Sequence, residues 1–458
     1  MMTAQGGAAT DGVWSRQLLT WILAIWVVAI PVGWVSWSYL QVPVNEVISA
    51  PADDGHCTAS TDGVGVHCFG DYFYPAKLAA SDPTWVYPTL YPHAYTASGM
   101  LPHVVADNLG NLFGSERIGL LLYLLPILVA LLVPAALLAS RLRAPLGLVL
   151  LLVLGVASQP FLLALDRGNS AALVVPLLLW VGWATVTRHW AQVAAAIVLA
   201  SMLRPQFILL ALILLALRQW RPLVLTAVAA AAANALAFAV WPGGFTANVT
   251  GWAQNLLSYS GTIPLERNNP TNLSTAHAVT VLTRAGRVPP EPLSGWLANL
   301  QDLITRLPWL PGLALLALVA VVLVFRGRSM RASSLLTVVI LLTVLVPSLS
   351  FGYYLVVVLP IAAWLLVDPG QWLSRDRARL RGLLDVEESS LRGWRSAPSW
   401  LVIAAVSLSL VPLPIALAAG ENSVITQNLG LLWTIVVMVL LLPNRKLPAE
   451  TRRDVAPA

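Results

Sequence analysis

The first residue set that could carry acid–base chemistry is Gly70-Asp71-Tyr72-Phe73-Tyr74-Pro75-Ala76-Lys77, followed by Tyr87-Pro88-Thr89-Leu90-Tyr91-Pro92-His93. A carboxylate can take a proton from a hydroxyl, and aromatic rings can stack on the faces of a sugar-like substrate. Asp71 is thus a candidate base, with Tyr72, Tyr74, Lys77, Tyr87 and His93 as candidate substrate contacts. A loop aspartate is also an ordinary turn former, and a solvated Asp71 is the competing reading.

A second set is Leu165-Asp166-Arg167-Gly168-Asn169-Ser170 together with Met202-Leu203-Arg204-Pro205-Gln206. Charged groups at membrane depth are costly and face a partner or a polar cavity. Arginine's planar fork matches phosphate oxygens, so Arg167 and Arg204 together could clamp a phosphate. An Asp166–Arg167 pair reaching for the interface would explain Arg167 but not Arg204.

The two cysteines, Cys57 and Cys68, lie in the same loop as Asp71. A disulfide on an oxidising face is the expected state. A Cys/His metal site with His56 and His67 is the alternative, but that spacing matches no standard zinc pattern. No metal and no cofactor is expected.

These residues must be positioned by membrane helices. The chain of 458 residues is 58% hydrophobic and 10% charged, with a mean hydropathy of +0.75, and its charges punctuate apolar runs of membrane-spanning length. The expected runs are 18–40, 118–139, 146–165, 171–187, 190–203, 206–217, 222–241, 309–325, 332–347, 352–367, 398–418 and 428–442. The expected fold is therefore an all-α polytopic membrane protein of about twelve spans, with a range of 10–13. Runs 190–203 and 206–217 are short and meet at Arg204-Pro205, as a re-entrant pair or one broken region would. Run 18–40 reads as a retained anchor; a cleaved signal peptide is the competing reading.

With the N-terminus inside, 19 of the 27 basic residues fall on cytoplasmic segments, while the opposite face carries 13 of the 21 acids. That bias predicts cytoplasmic ends at 1–17 and 443–458 and long outer loops at 41–117 and 242–308. The span-bearing regions are then 18–367 and a C-terminal pair, 398–442. The cytoplasmic segment 368–397 reads as a basic amphipathic stretch on the inner leaflet or as a charged topogenic loop. The net charge of +6 is topogenic, and no nucleic-acid partner is expected.

Taken in order, Gly70-Asp71-Tyr72-Phe73-Tyr74, the Tyr87-Pro88 and Tyr91-Pro92 run, Arg167-Gly168-Asn169, SMLRPQFILLALILLALRQWRPL and Phe351-Gly352-Tyr353-Tyr354 resemble glycosyltransferase family 87. The resemblance implies a GT-C-like transmembrane bundle using a polyprenyl-phosphate sugar donor and a glycolipid or cell-envelope glycan acceptor on the non-cytoplasmic face of the cell membrane. It implies Asp71 as catalytic base and Arg167, Asn169 and Arg204 lining the donor phosphate site. Asn272 and His277 fall in a segment similar to the family's Asn-rich stretch, and Tyr353 and Tyr354 are further candidate substrate contacts. Mannosyl transfer is expected, with arabinofuranosyl transfer as the alternative that Gly352-Tyr353-Tyr354 suggests. Two departures stand out: Arg204-Pro205 where the family commonly has Lys-Pro, and Phe351 and Tyr353 where many members have Trp and His. A secondary transporter shares the many spans, but no repeat relates the halves. A scaffold or flippase subunit without chemistry is the third reading.

Overall fold

A computed structural model of the chain describes residues 22–24, 26–27, 69–72, 95–140, 144–262, 272–284, 295–366, 397–411 and 424–442. The two cysteines, Tyr74, Lys77, Tyr87 and His93 lie outside these residues, as do the segments 1–17 and 443–458 and all of 368–397 but its last residue.

Apolar runs in a bilayer must satisfy their own backbone polar groups, and helices do so within one segment. Among the described residues there is accordingly no strand. The helices are α1 (Ala97–Leu112), α2 (Glu116–Ala139), α3 (Ala144–Leu150), α4 (Gln159–Arg167), α5 (Val175–Val186), α6 (Trp190–Leu203), α7 (Leu212–Ala216) and α8 (Trp220–Val240). They continue as α9 (Phe245–Thr262), α10 (Thr275–Arg284), α11 (Trp296–Arg306), α12 (Leu310–Arg326), α13 (Ala332–Leu345), α14 (Val358–Leu366), α15 (Ala397–Leu410) and α16 (Val424–Leu441). Short 3-10 turns, Ser170–Val174, Pro205–Ala211 and Gly352–Val357, lead into α5, α7 and α14.

Three helices, α2, α8 and α12 with its terminal turn, are long and apolar enough to cross a membrane; a bent pair ending in α4 makes a possible fourth. Their outward faces are apolar: Leu121, Leu125 and Val129 on α2 and Val224 and Val228 on α8 are exposed. Such stripes have no place against water but suit lipid. The protein is a helical membrane protein.

The chain departs from the expected runs where glycine and proline permit it. The run 146–165 is broken: α3 continues into a π turn, Leu151–Val156, with Gly155 at φ −100° and ψ −109°. The following α4 is bent away by 48°. Glycine accepts that backbone conformation, and Pro160 in the first turn of α4 has no N–H to extend the previous ladder. Much of the two expected outer loops is helical as well. Helix α1 lies within 41–117 and packs on α2, and 242–308 contains α9, α10 and α11. Pattern reading did not count these helices as spans because polar residues interrupt their apolar runs, and in α1 Pro102 as well.

The bundle has two distinguishable ends. At one, Gly119 of α2 abuts Tyr72, Gly312 of α12 abuts the Val346 carbonyl, and Gly430 of α16 abuts Leu273. At the other, Ala139 meets Gly147, Gly327 meets Ala216, and Arg326 donates to the Leu441 carbonyl at 2.8 Å. The first end gathers the candidate chemistry.

Candidate active site

Helix α4 ends at Gly168, which adopts the left-handed conformation (φ 62°, ψ 41°). Its N–H and that of Asn169 return to the carbonyls of Leu165 and Ala164, a Schellman closure. The left-handed backbone favours glycine there, and the position packs against the Asp71 segment, with Tyr72 Cβ 3.4 Å from where a β-carbon would sit. This turn places Arg167 and Asn169 on either side of Asp71. Asn169 Nδ2 donates to Asp71 Oδ2 at 2.8 Å, while the Arg167 guanidinium lies 3.5 Å from Asp71 Oδ1. The side chains of Arg167 and Asp71 keep 15% and 18% exposure, so the carboxylate is held yet reachable.

Arg204 arrives from another direction. After α6 the chain breaks into extended backbone at Arg204 (φ −148°, ψ 116°), and Pro205 opens the next turn. The side chain is 6% exposed. A buried charge without compensation costs several kcal/mol, so its surroundings matter. One terminal nitrogen donates to Tyr95 Oη at 2.7 Å and to Asn169 Oδ1 at 2.8 Å. The guanidinium carbon lies 3.9 Å from the Tyr95 ring centre and 5.8 Å from that of Tyr354. Hydrogen bonds from a charged donor are about twice as strong as neutral ones. Arg204 Nε is buried and has no hydrogen-bond partner among the described residues.

A wall of aromatic side chains backs this assembly. Tyr72 packs on Tyr123 with ring centres 4.7 Å apart, and the Tyr123 hydroxyl lies 3.2 Å from His103 Nε2. His103, fully buried, stands edge-on to Tyr95 at 5.2 Å. Burial, with Asp107 and Glu116 nearby, pushes the Tyr72 phenol up to about 12. Burial also raises Tyr95 against the opposing pull of Arg204. Both phenols therefore stay protonated at neutral pH and act as neutral hydrogen-bonding groups.

Other sequence candidates fall into a neighbouring cluster. Tyr353 and Tyr354 begin the turn leading to α14, with rings 4.9 Å apart, and Phe351 stacks on Tyr353 at 5.6 Å. Asn272 is committed to backbone: its Oδ1 accepts from the Ser274 and Ser350 amides, each at 3.0 Å, and its Nδ2 donates to the Ser348 carbonyl at 3.3 Å. It thus clasps the strand of chain entering Tyr353 and Tyr354. His277 is buried on α10, with its backbone N–H donating to Ser274 Oγ.

Sequence reasoning missed Tyr95, His103 and Tyr123. His103 did carry a signal, a titratable side chain inside the apolar stretch Met100-Leu101-Pro102-His103-Val104-Val105. Tyr95 and Tyr123 carried none, since tyrosines are common at membrane margins.

The arrangement joins one reachable carboxylate to two guanidinium groups, one beside it and one linked to it through Asn169. Among the described residues, no group of three or more His, Cys, Asp and Glu side chains could hold a metal ion. The family model of glycosyltransferase family 87 matches residues 109–350, just over half of the chain. The chain belongs to glycosyltransferase family 87. No curated protein and no solved structure matches it. The matched region holds Arg167, Asn169, Arg204, Asn272 and His277. Asp71, Tyr95 and the Tyr353–Tyr354 pair lie outside it and join the site through contacts alone. This membrane glycosyltransferase needs a sugar donor and an acceptor, and the Asp71–Asn169–Arg204 chain is where its described polar side chains converge.

Proposed function

We propose that this glycosyltransferase transfers a hexosyl unit, mannosyl in the first instance, from a polyprenyl-phosphate sugar to a glycolipid or cell-envelope glycan. Transfer inverts the anomeric centre and takes place on the non-cytoplasmic face of the cell membrane. The observation that carries this reading is the hydrogen-bonded chain from Asp71 through Asn169 to Arg204, with Arg167 beside it. It supplies a base and two cations within one pocket.

In the proposed step the acceptor hydroxyl oxygen attacks C1 of the donor sugar. The bond between C1 and the phosphate oxygen breaks, and its electron pair leaves with the polyprenyl phosphate. The hydroxyl proton passes to the Asp71 carboxylate. The phosphate goes from a singly charged diester to a doubly charged monoester, and that developing charge is what Arg204 Nε and Arg167 would stabilise. A good leaving group needs no second acid, which suits a pocket with one reachable carboxylate. Tyr353, Tyr354 and Phe351 offer ring faces to a sugar, and the lipid tail would lie along the apolar outer stripes.

About twelve spans, with the Asp71 end outside, fit the distribution of basic residues and the alternation of helices between the two ends. The loop of Asp71, with Cys57 bonded to Cys68, would then face the acceptor.

Membranes carrying the protein are incubated with radiolabelled polyprenyl-phosphate mannose and, separately, polyprenyl-phosphate arabinose. Label appearing in a glycolipid or glycan from mannose alone supports the mannosyl reading, and label from arabinose alone selects the alternative. No incorporation from either donor, in membranes where the protein is folded, overturns polyprenyl-phosphate dependence.

A further inference from the structure

We propose that Asn169 is a positioning residue: its carboxamide holds the Asp71 carboxylate and the Arg204 guanidinium in fixed register, and it does not itself bind the donor phosphate. This rests on the reading of Asp71 as base and Arg204 as phosphate ligand, and it removes Asn169 from the phosphate-binding set that the family resemblance implied.

The amide cannot be turned round. Asn169 Oδ1 accepts from the Arg204 guanidinium at 2.8 Å and from the Ala171 backbone N–H at 2.8 Å. Neither partner has a lone pair to offer, so the oxygen must face both. The nitrogen then faces Asp71 Oδ2, also at 2.8 Å. Asn169 is fully buried and sits just past the closure at Gly168, so its backbone is fixed as well. The three contacts use both lone pairs of the oxygen and one N–H.

The cap at Ala171 does not by itself call for asparagine. Aspartate and serine cap such turns equally well. What aspartate could not do is donate to Asp71; it would set one carboxylate against another. A carboxamide offers an acceptor edge to Arg204 and a donor edge to Asp71 at once. The groups facing this bridge are Asp71, Arg167 from the end of α4, Arg204 and, across Arg204, the neutral phenol of Tyr95. Through it the base and the phosphate ligand keep one separation, so a donor seated on Arg204 presents its C1 at a set distance from Asp71. Near-attack geometry of this kind is sensitive to displacements of about 1 Å.

The test uses the full chain in lipid nanodiscs, with Asn169→Ala and Asn169→Asp made in the native protein and in Asp71→Asn. Two quantities are read: the melting temperature, and kcat and donor KM for whichever polyprenyl-phosphate sugar is turned over. Asn169→Ala is expected to lower kcat roughly 100-fold with donor KM within about 3-fold. A donor KM raised at least roughly 10-fold with kcat retained would make Asn169 a phosphate ligand and overturn the proposal. Asn169→Asp is expected to lower the melting temperature, and adding Asp71→Asn to restore most of the loss, because an amide again meets a carboxylate with the roles exchanged. Where Asn169→Asp does not survive purification, recovery of folded protein in the double variant is the same result. No restoration overturns the proposal. If the native protein transfers no sugar from any polyprenyl-phosphate donor, the functional reading fails, and the melting cycle still decides whether Asn169 is coupled to Asp71.

Discussion

Four of the described helices, α1, α4, α5 and α7, end in the same backbone motif, and the residue at its left-handed position differs between the two ends of the bundle. After α1 and α4 that residue is glycine, Gly114 (φ 68°) and Gly168 (φ 62°); after α5 it is Arg188 (φ 59°), and after α7 it is Arg218 (φ 54°). In each case two amides return to the last carbonyls of the helix. Arg188 and Arg218 are exposed, so a side chain has room, and a cation lies favourably against a helix C-terminus and the membrane surface. At Gly168 a β-carbon would already touch Tyr72, Phe69 and Leu124, at 3.4, 3.7 and 3.8 Å, whereas one at Gly114 would meet nothing within 4 Å. The cation is displaced by one residue to Arg167, where it reaches Asp71. The shared motif thus carries exposed arginines at one end and glycines at the other, of which Gly168 alone packs against the Asp71 segment.

The largest expected effect tests whether chemistry belongs to the Gly168 end at all. Asp71→Asn should lower sugar transfer by roughly 100- to 10,000-fold, the usual worth of a general base, while the protein still inserts and folds. Undiminished transfer would sink the assignment. Next comes Arg204→Lys, which keeps the charge but loses the fork bridging Tyr95 and Asn169. A fall in kcat of about 10-fold or more is expected. A matching loss from Arg188→Lys would break the comparison, since that arginine is assigned no chemistry.

Gly168→Arg copies the opposite end's solution into the site. It should reduce transfer by at least roughly 10-fold by displacing Tyr72 and with it Asp71; activity within about 2-fold of native would show that Tyr72 yields freely. The reciprocal changes are the mildest. Arg188→Gly and Arg218→Gly relieve left-handed strain and should raise stability by about 0.5–1 kcal/mol each, read as a small upward shift in melting temperature. Transfer should be unaffected in correctly inserted protein, and a loss there would draw those turns into the mechanism.

The sequence carried more of the site than of its support. Arg204 stood out as a charge between two apolar runs, and Arg167 as a second one entering nearby. Asp71 stood out only through its aromatic neighbours and the family resemblance. The wall of Tyr95, His103 and Tyr123 was not legible, because Tyr95 meets Arg204 across 109 positions and nothing periodic joins them. Asn272 was read as a substrate contact from its amide. The structure gives that amide three backbone partners, which hydrogen-bonding capacity alone could not foretell. The bend at Gly155 was hidden in an apolar run whose hydropathy is indifferent to dihedral angles.

What the sequence determined by itself was the membrane character and the placing of charge along the chain. Transfer between water and lipid is close to a sum over neighbouring residues, so local composition is enough to decide it. Tertiary structure alone decided that Asp71, Asn169 and Arg204 form one hydrogen-bonded chain, and which edge of the Asn169 amide faces the carboxylate. Hydrogen bonds act over about 3 Å and depend on direction. Whether residues 98 positions apart come within that reach is settled by how helices pack.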